Sequence, residues 1–306
     1  MKFDHDNISP LDSRYAAKIS DIRKNFSESA LIKIRFEIEL DWLVYLCTKL
    51  PKTFKPLSKQ SIQKIEVFKD SFTDKYVLSV KKIESTTNHD VKAVEYFIRD
   101  YFKKDKVLKD YIHLIHFGLT SEDINSLSYA YMIKEGINLY LKELNLVNKT
   151  LKSQSKKWSK VSFLARTHGQ PASPSTLGKE LKVFSKRIDR EIETLKNIKP
   201  LAKFSGATGN YHTFDIVDSS VNWPNLNKAF IKQFGVTQNP YTTQIEPHDW
   251  IAEVCHSVVR INNILTDLCQ DSWIYISNDI FALKLMKNEV GSSTMPHKVN
   301  PIDFEN

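Results

Sequence analysis

Breakers of regular structure are scarce in this sequence. Its 306 residues include 8 glycines and 11 prolines, where average usage gives roughly 7% glycine and 5% proline. No proline falls between Pro56 and Pro171, and only Gly118, Gly136 and Gly169 interrupt that span. From His248 to Val290 neither residue occurs. Such tracts exclude a chain of short strands and tight turns and favour long helices. Cysteine is rarer still. Cys47, Cys255 and Cys269 are odd in number and far apart, which excludes a disulfide scaffold and fits a reducing cytosol. Each is expected to act as a small buried hydrophobe. No apolar run approaches the roughly 18–20 residues of a membrane span. The opening Met1-Lys2-Phe3-Asp4-His5-Asp6 lacks the apolar centre of a secretory signal, so a cytoplasmic location is expected.

What is present is ordinary for a globular chain, with 41% hydrophobic and 26% charged residues. A formal charge of +8 invites a nucleic-acid partner. Yet the basic residues alternate with acids, as in Lys142-Glu143, Lys179-Glu180 and Lys186-Arg187-Ile188-Asp189-Arg190-Glu191, the pattern of a solvated helical face. No nucleic acid is expected; a small polyanionic substrate accounts for a positive site equally well. Leu177, Leu181, Phe184, Ile188, Ile192 and Leu195 repeat at helical spacing. So do Ile251, Val254, Val258, Ile261, Leu265 and Leu268, in a breaker-free stretch that at about 1.5 Å per residue spans roughly 60 Å as one helix or two end-to-end pieces. These seams predict an all-α fold, a bundle of long helices, with further copies covering the faces that one chain leaves open. Residues 1–117 read as an N-terminal helical domain of hairpins, with a loop near Pro51–Pro56. Residues 118–306 read as the central long-helix bundle, starting near Thr120 and interrupted by a loop-rich insertion from about Phe204 to His248.

The chemistry concentrates near the end of the chain. Gly291-Ser292-Ser293-Thr294-Met295-Pro296-His297-Lys298-Val299-Asn300-Pro301 sets two hydroxyls, an ammonium and a carboxamide between a glycine and two prolines. That is a loop presenting side chains rather than burying them. Taken alone, such a loop is an ordinary surface turn. In full, it resembles the signature loop of the aspartase/fumarase superfamily of lyases, which eliminate fumarate from succinyl-type substrates. With the following Ile302-Asp303-Phe304-Glu305-Asn306 it looks like the bacterial adenylosuccinate lyase branch. Thr86–Phe97, Phe117–Asn125, Arg166–Ala172, Gln244–Asp249 and Ser9–Tyr15 are similar to further segments of that branch, in the same order. One motif would be weak; this set spans the chain.

The resemblance implies a helical fold, a homotetramer whose sites draw on several subunits, and a nucleotide substrate. It also implies a further helical domain, since members of the branch continue well over a hundred residues past the loop. Ser292 becomes the base that removes a carbon-bound proton, and His168 the general acid for the leaving nitrogen, a role suited to imidazole near neutral pH. Lys298, Asn300 and Ser293 would steady the developing dianion. Thr120 and Ser121 open a helix with free amides, a carboxylate site, and Thr120 with Asp123 also reads as a variant capping box. Asn88, His89 and Asp90 match the segment of the branch's second histidine, on the phosphate or leaving-group side; by residue type alone, Asn88 and Asp90 are helix caps. Arg14, Tyr15 and Gln244 match positions that hold the nucleotide. No His-Glu-x-x-His and no glycine-rich phosphate loop occurs, so no metal and no organic cofactor is expected. Another fumarate-releasing lyase, such as argininosuccinate lyase or fumarase, and a non-catalytic helical scaffold stay open as alternatives. Substrate screening separates the first; salt-sensitive oligonucleotide binding without turnover would mark the second.

Overall fold

A computed structural model describes residues 8–284, 294–295 and 297–305. The chain forms two compact units, one from residues 1–140 and 199–250, the other from residues 141–198 and 251–306.

The first unit opens with α1 (Ser20–Phe26) and α2 (Glu28–Lys49), followed by α3 (Lys59–Asp70), α4 (Asp74–Thr87) and α5 (Asp90–Lys104). Serine starts two of these helices. The Ser27 hydroxyl accepts from the Ala30 amide at 3.2 Å and that of Ser58 from the Ser61 amide at 3.0 Å. Helix α2 is apolar on nearly every side because it is the core: Phe36, Ile38, Leu40, Trp42, Leu43 and Leu46 are all buried. Trp42 packs edge-on against Phe204 and Phe230, each at 5.0 Å, and its indole nitrogen donates to the Phe117 carbonyl at 3.0 Å. The short span from α4 to α5 is a back-to-back joint. Asn88, in the left-handed region at φ 48°, ends α4, and the His89 ring caps α5 by accepting from the Lys92 amide at 3.2 Å. Helix α6 (Ser121–Lys157) begins in this unit and runs on into the second.

The second unit holds the rest of α6, an antiparallel hairpin of β1 (Ser162–Thr167) and β2 (Gln170–Thr176), and α7 (Leu177–Asn197). The chain then returns to the first unit. There β3 (Leu201–Ala202), α8 (His212–Val217), α9 (Trp223–Lys232) and β4 (Thr237–Gln238) fill the stretch read as a loop-rich insertion, with β3 and β4 pairing in parallel. Helices α10 (Asp249–Ser277) and α11 (Ile302–Glu305) complete the second unit. All six apolar positions anticipated on α7 are buried. Helix α6 approaches α7 closely at Gly178, where a Cβ would lie 2.3 Å from the Ser155 carbonyl oxygen. Asn148 ties the same two helices, receiving from Ser185 at 2.8 Å and donating to Asp189 at 2.7 Å. Ion pairs Arg187–Asp267 at 2.7 Å and Arg260–Glu191 at 2.9 Å join α7 to α10.

Helix dominates, as expected, but three readings need correction. The segment Arg166–Pro171, within the stretch read as long-helix bundle, lies in a β-hairpin. Helix α10 stops at Ser277 without glycine or proline. Asp279 takes the left-handed conformation at φ 59°, and the Ile280 amide reaches back to the Tyr275 carbonyl at 2.9 Å while the Asp279 amide reaches Ile276, a Schellman stop with aspartate in glycine's place. Finally, only Cys47 behaves as a buried hydrophobe, its thiol pushed up to about 11 by burial. Cys255 is exposed and Cys269 half-buried. Among the described residues, no helix is long and apolar enough to cross a membrane.

Candidate active site

Of four consecutive residues at the start of α6, three join different parts of the first unit. Thr120 is held by its own helix: its amide donates to Asp123 Oδ2 at 2.8 Å, the back-reaching half of the anticipated capping box. Ser121 Oγ lies 3.4 Å from His89 Nε2. Because His89 Nδ1 accepts from the Lys92 amide, the ring in its neutral form carries its proton on Nε2 and turns that N–H toward Ser121. Two motifs about thirty residues apart in sequence thus meet at one point, and both residues retain solvent access.

Asp123 is wholly buried and holds a loop. Its carboxylate accepts from Lys203 Nζ at 2.6 Å and from the amides of Ser205 and Gly206 at 2.9 and 3.1 Å. Lys203 is also wholly buried and gives a second hydrogen bond to the Gly206 carbonyl at 2.9 Å. With five polar contacts between them, the two charges are compensated without water. Glu122 turns to the Gln244 segment: its Oε1 accepts from the Glu246 amide at 3.2 Å and lies 3.0 Å from His248 Nε2. Gln244 itself is exposed.

Asn88, His89 and Asp90 are exposed, and Asn88 and Asp90 border a cavity of about 510 Å³ together with Lys81, Glu84 and Ser85. Asp90 is paired at this cavity. Burial alone would raise its carboxyl, but the Arg35 guanidinium at 2.7 Å and the Val91 amide outweigh that and hold it below the usual carboxylate range. Arg35 is buried, so this pair anchors the start of α5. Arg14 lies exposed with its guanidinium 5.5 Å from the half-buried Tyr15 ring.

In the second unit, His168 occupies the turn of the hairpin, with Thr167 paired to Gln170 on either side of it. Both turn residues have positive φ, 56° for His168 and 74° for Gly169, the pattern of a two-residue type I′ turn. Asparagine or glycine normally takes the first of these positions, and an imidazole there costs about 1 kcal/mol. The turn projects an exposed imidazole from a rigid ribbon, stiffened by Pro171 and Pro174 and by a hydrogen bond from Arg166 to the Gly169 carbonyl at 3.1 Å. Lys298 is exposed and Asn300 half-buried. Ser292 and Ser293 lie outside the described residues.

Sequence reasoning overlooked Glu122, Asp123 beyond its capping role, Lys203, His248 and the pair His116–Glu39. His116 Nδ1 sits 2.5 Å from a Glu39 oxygen, just before the Gly118-Leu119-Thr120 turn. Burial opposes the imidazolium, yet the Glu39 charge and hydrogen bond win and raise the His116 pKa, with Glu95 adding to the effect. A readable signal existed for Lys203, a lysine set between Ala202 and Phe204 in an apolar run. None marked His116.

The fold and these motifs agree with known proteins. The profile of a family described as lyases matches residues 13–306. The chain is 44% identical over 305 residues to an adenylosuccinate lyase of Buchnera aphidicola subsp. Schizaphis graminum, an alignment covering 98% of this chain and 66% of that protein. It is 43% identical over 304 residues to the adenylosuccinate lyase of Escherichia coli strain K12, with the same coverage. The chain therefore spans just under two thirds of the length of these curated relatives. Among solved structures, a fumarate lyase from Mesorhizobium sp. BNC1 superposes with a TM-score of 0.70 at 18% identity, over 85% of this chain and 58% of that one. The 3-carboxy-cis,cis-muconate lactonizing enzyme of Pseudomonas putida also gives 0.70 at 18% identity, over 94% and 61%. The structural likeness carries the fold and the sequence match carries the family: this chain belongs to the lyase family whose profile matches residues 13–306.

Proposed function

We propose that this chain carries the catalytic framework of an adenylosuccinate lyase. The reaction is β-elimination of fumarate from N6-(1,2-dicarboxyethyl)-AMP to give AMP, and from the succinylated aminoimidazole carboxamide ribotide to give the free carboxamide. The observation that best supports this reading is the meeting of His89 and Ser121 at 3.4 Å, beside the open N-terminal end of a 37-residue helix. An open helix end with hydroxyls is a carboxylate site, and an imidazole beside it suits the polar leaving group.

In this proposal Ser292, ionised by the amides and ammonium of its loop, takes the proton from the carbon next to the distal carboxylate. The electron pair left behind moves onto that carboxylate as a dianion, steadied by Lys298, Asn300 and Ser293. Collapse of the dianion forms the carbon–carbon double bond and breaks the carbon–nitrogen bond. The nitrogen leaves with the bonding pair and takes a proton from His168. Thr120 and Ser121 bind a carboxylate, while Arg14, Tyr15, Asn88, His89 and Gln244 hold the nucleotide. Asp90 fixes Arg35 and so acts through α5. We further propose a cytoplasmic homotetramer with sites shared between subunits, with residues 1–117 and 118–306 as its domains within this chain. No metal or organic cofactor enters the scheme.

The test is Ser292→Ala in the complete protein, followed by fumarate release and by AMP binding. Turnover should fall by several powers of ten with AMP binding retained, because a missing base removes a proton-transfer catalyst worth at least about 10²–10⁴. Activity within about tenfold of the parent would refute the assignment of Ser292 on the same argument.

A further inference from the structure

One histidine in the first unit lies between two buried carboxylates. His248 Nε2 lies 3.0 Å from Glu122 Oε1, and His248 Nδ1 lies 3.2 Å from Glu246 Oε2 without a hydrogen bond. Both glutamates are anchored independently of the ring. Glu122 accepts from the Glu246 amide at 3.2 Å; Glu246 accepts from the His248 amide at 2.6 Å and from Asn239 Nδ2 at 2.8 Å. The Glu246 side chain is 1% exposed and that of Glu122 10%. Burial raises the Glu122 carboxyl, against the pull of the Glu246 amide and His248. His248 itself holds a left-handed backbone at φ 63°, a conformation that costs a side-chain-bearing residue energy and persists only where its surroundings enforce it.

His248 thus stands between two segments that are 124 residues apart in sequence and are also joined directly by the Glu246 amide to Glu122. Glu122 follows Ser121 directly on α6, and Glu246 lies two residues beyond Gln244. We propose that His248 is a positioning residue, a strap that fixes the Gln244 nucleotide-holding segment against the carboxylate-binding start of α6. This rests on the functional reading above, in which Gln244 and Ser121 face one substrate. His248 acts through Glu122 and Glu246 rather than on the reacting atoms. Asn239 closes the strap from the far side by holding the second oxygen of Glu246. A substrate bridging the two segments is bound well only when their separation is held, so the strap governs affinity more than the chemical step.

The experiment measures AMP binding by calorimetry, KM and kcat for adenylosuccinate, and thermal unfolding, on the complete protein and four variants. His248→Asn keeps a residue at ease in the left-handed region but falls short of Glu122. His248→Gln restores a donor near the Nε2 position. Glu122→Gln removes the charge on the other side. The expected result for His248→Asn is a Kd for AMP and a KM each raised about tenfold, with kcat within about threefold of the parent, as for a lost binding-geometry contact. His248→Gln should recover part of that loss. In the Glu122→Gln background, His248→Asn should add little. A folded His248→Asn protein with unchanged Kd and KM would overturn the proposal, even if its melting point fell. So would a hundredfold loss of kcat at constant KM, which would make His248 catalytic. If the parent binds AMP but releases no fumarate, the functional reading fails while the Kd comparison still decides the strap.

Discussion

Removing the ammonium of Lys203 isolates one term of the site's scaffold. Lys203→Met is close in length and volume, so the change leaves little cavity and mainly strands the Asp123 carboxylate. Breaking a buried pair by removing one partner costs about 3–5 kcal/mol. Here Asp123 keeps three amide donors, from Thr120, Ser205 and Gly206. Those bonds compensate much of the exposed charge, so the expected loss sits near the lower end, about 3 kcal/mol. Asp123→Ala is worse, since it orphans the buried amides of Ser205 and Gly206 at about 1–3 kcal/mol each, along with the half-buried Thr120 amide, and leaves the ammonium with only the Gly206 carbonyl. Asp123→Asn combined with Lys203→Met leaves no buried charge and should be more stable than Lys203→Met alone. Urea unfolding followed by tryptophan fluorescence ranks the variants by midpoint at constant slope; Trp42 and Trp223 are both buried reporters in this unit. If Lys203→Met unfolds within about 1 kcal/mol of the parent, or the double variant shows simple additivity, the pair is not a coupled keystone and the reasoning is wrong.

Two further outcomes follow from the geometry. The raised His116 pKa means that the imidazolium–Glu39 contact contributes its full stability below about pH 6.5 and loses it as pH rises through the higher folded-state value. Melting temperature should therefore fall as pH rises above about 6.5 more steeply in the parent than in His116→Gln, and parallel pH profiles would refute the assignment. Inactive His168→Ala and inactive Ser292→Ala proteins, mixed and allowed to exchange subunits, should regain part of their fumarate release, and no recovery after exchange confirmed by mass would place both groups on one chain.

Local patterns in the sequence were readable because they act through neighbours three or four residues apart. The α7 seam, the start of α6 at Ser121 and the motifs at Asn88–Asp90 and Thr120–Asp123 all lay within that reach. The type I′ turn was hidden because histidine stands where asparagine usually signals it, and two prolines argued against strand pairing; in a two-stranded ribbon, however, both strands are edges and tolerate them. The end of α10 was hidden for a related reason, since Asp279 adopts a conformation usually marked by glycine. Partners distant in sequence left no trace. Lys203 meets Asp123 across 80 residues and His116 meets Glu39 across 77, separations at which spacing carries no information. The site residues were visible by type, but the groups that hold them in place were not.

The four residues that open α6 also set how this protein can change over generations. Ser121, Glu122 and Asp123 reach three different neighbours, and Thr120 is held by Asp123, so their helical phase matters as much as their identity. Losing or gaining one residue just after them, inside the helix, would turn each side chain by about 100° around the helix axis relative to the rest of α6. His89, His248 and Lys203 would lose their partners together, although no side chain had been altered. Length variation should therefore be purged from the first turns of α6.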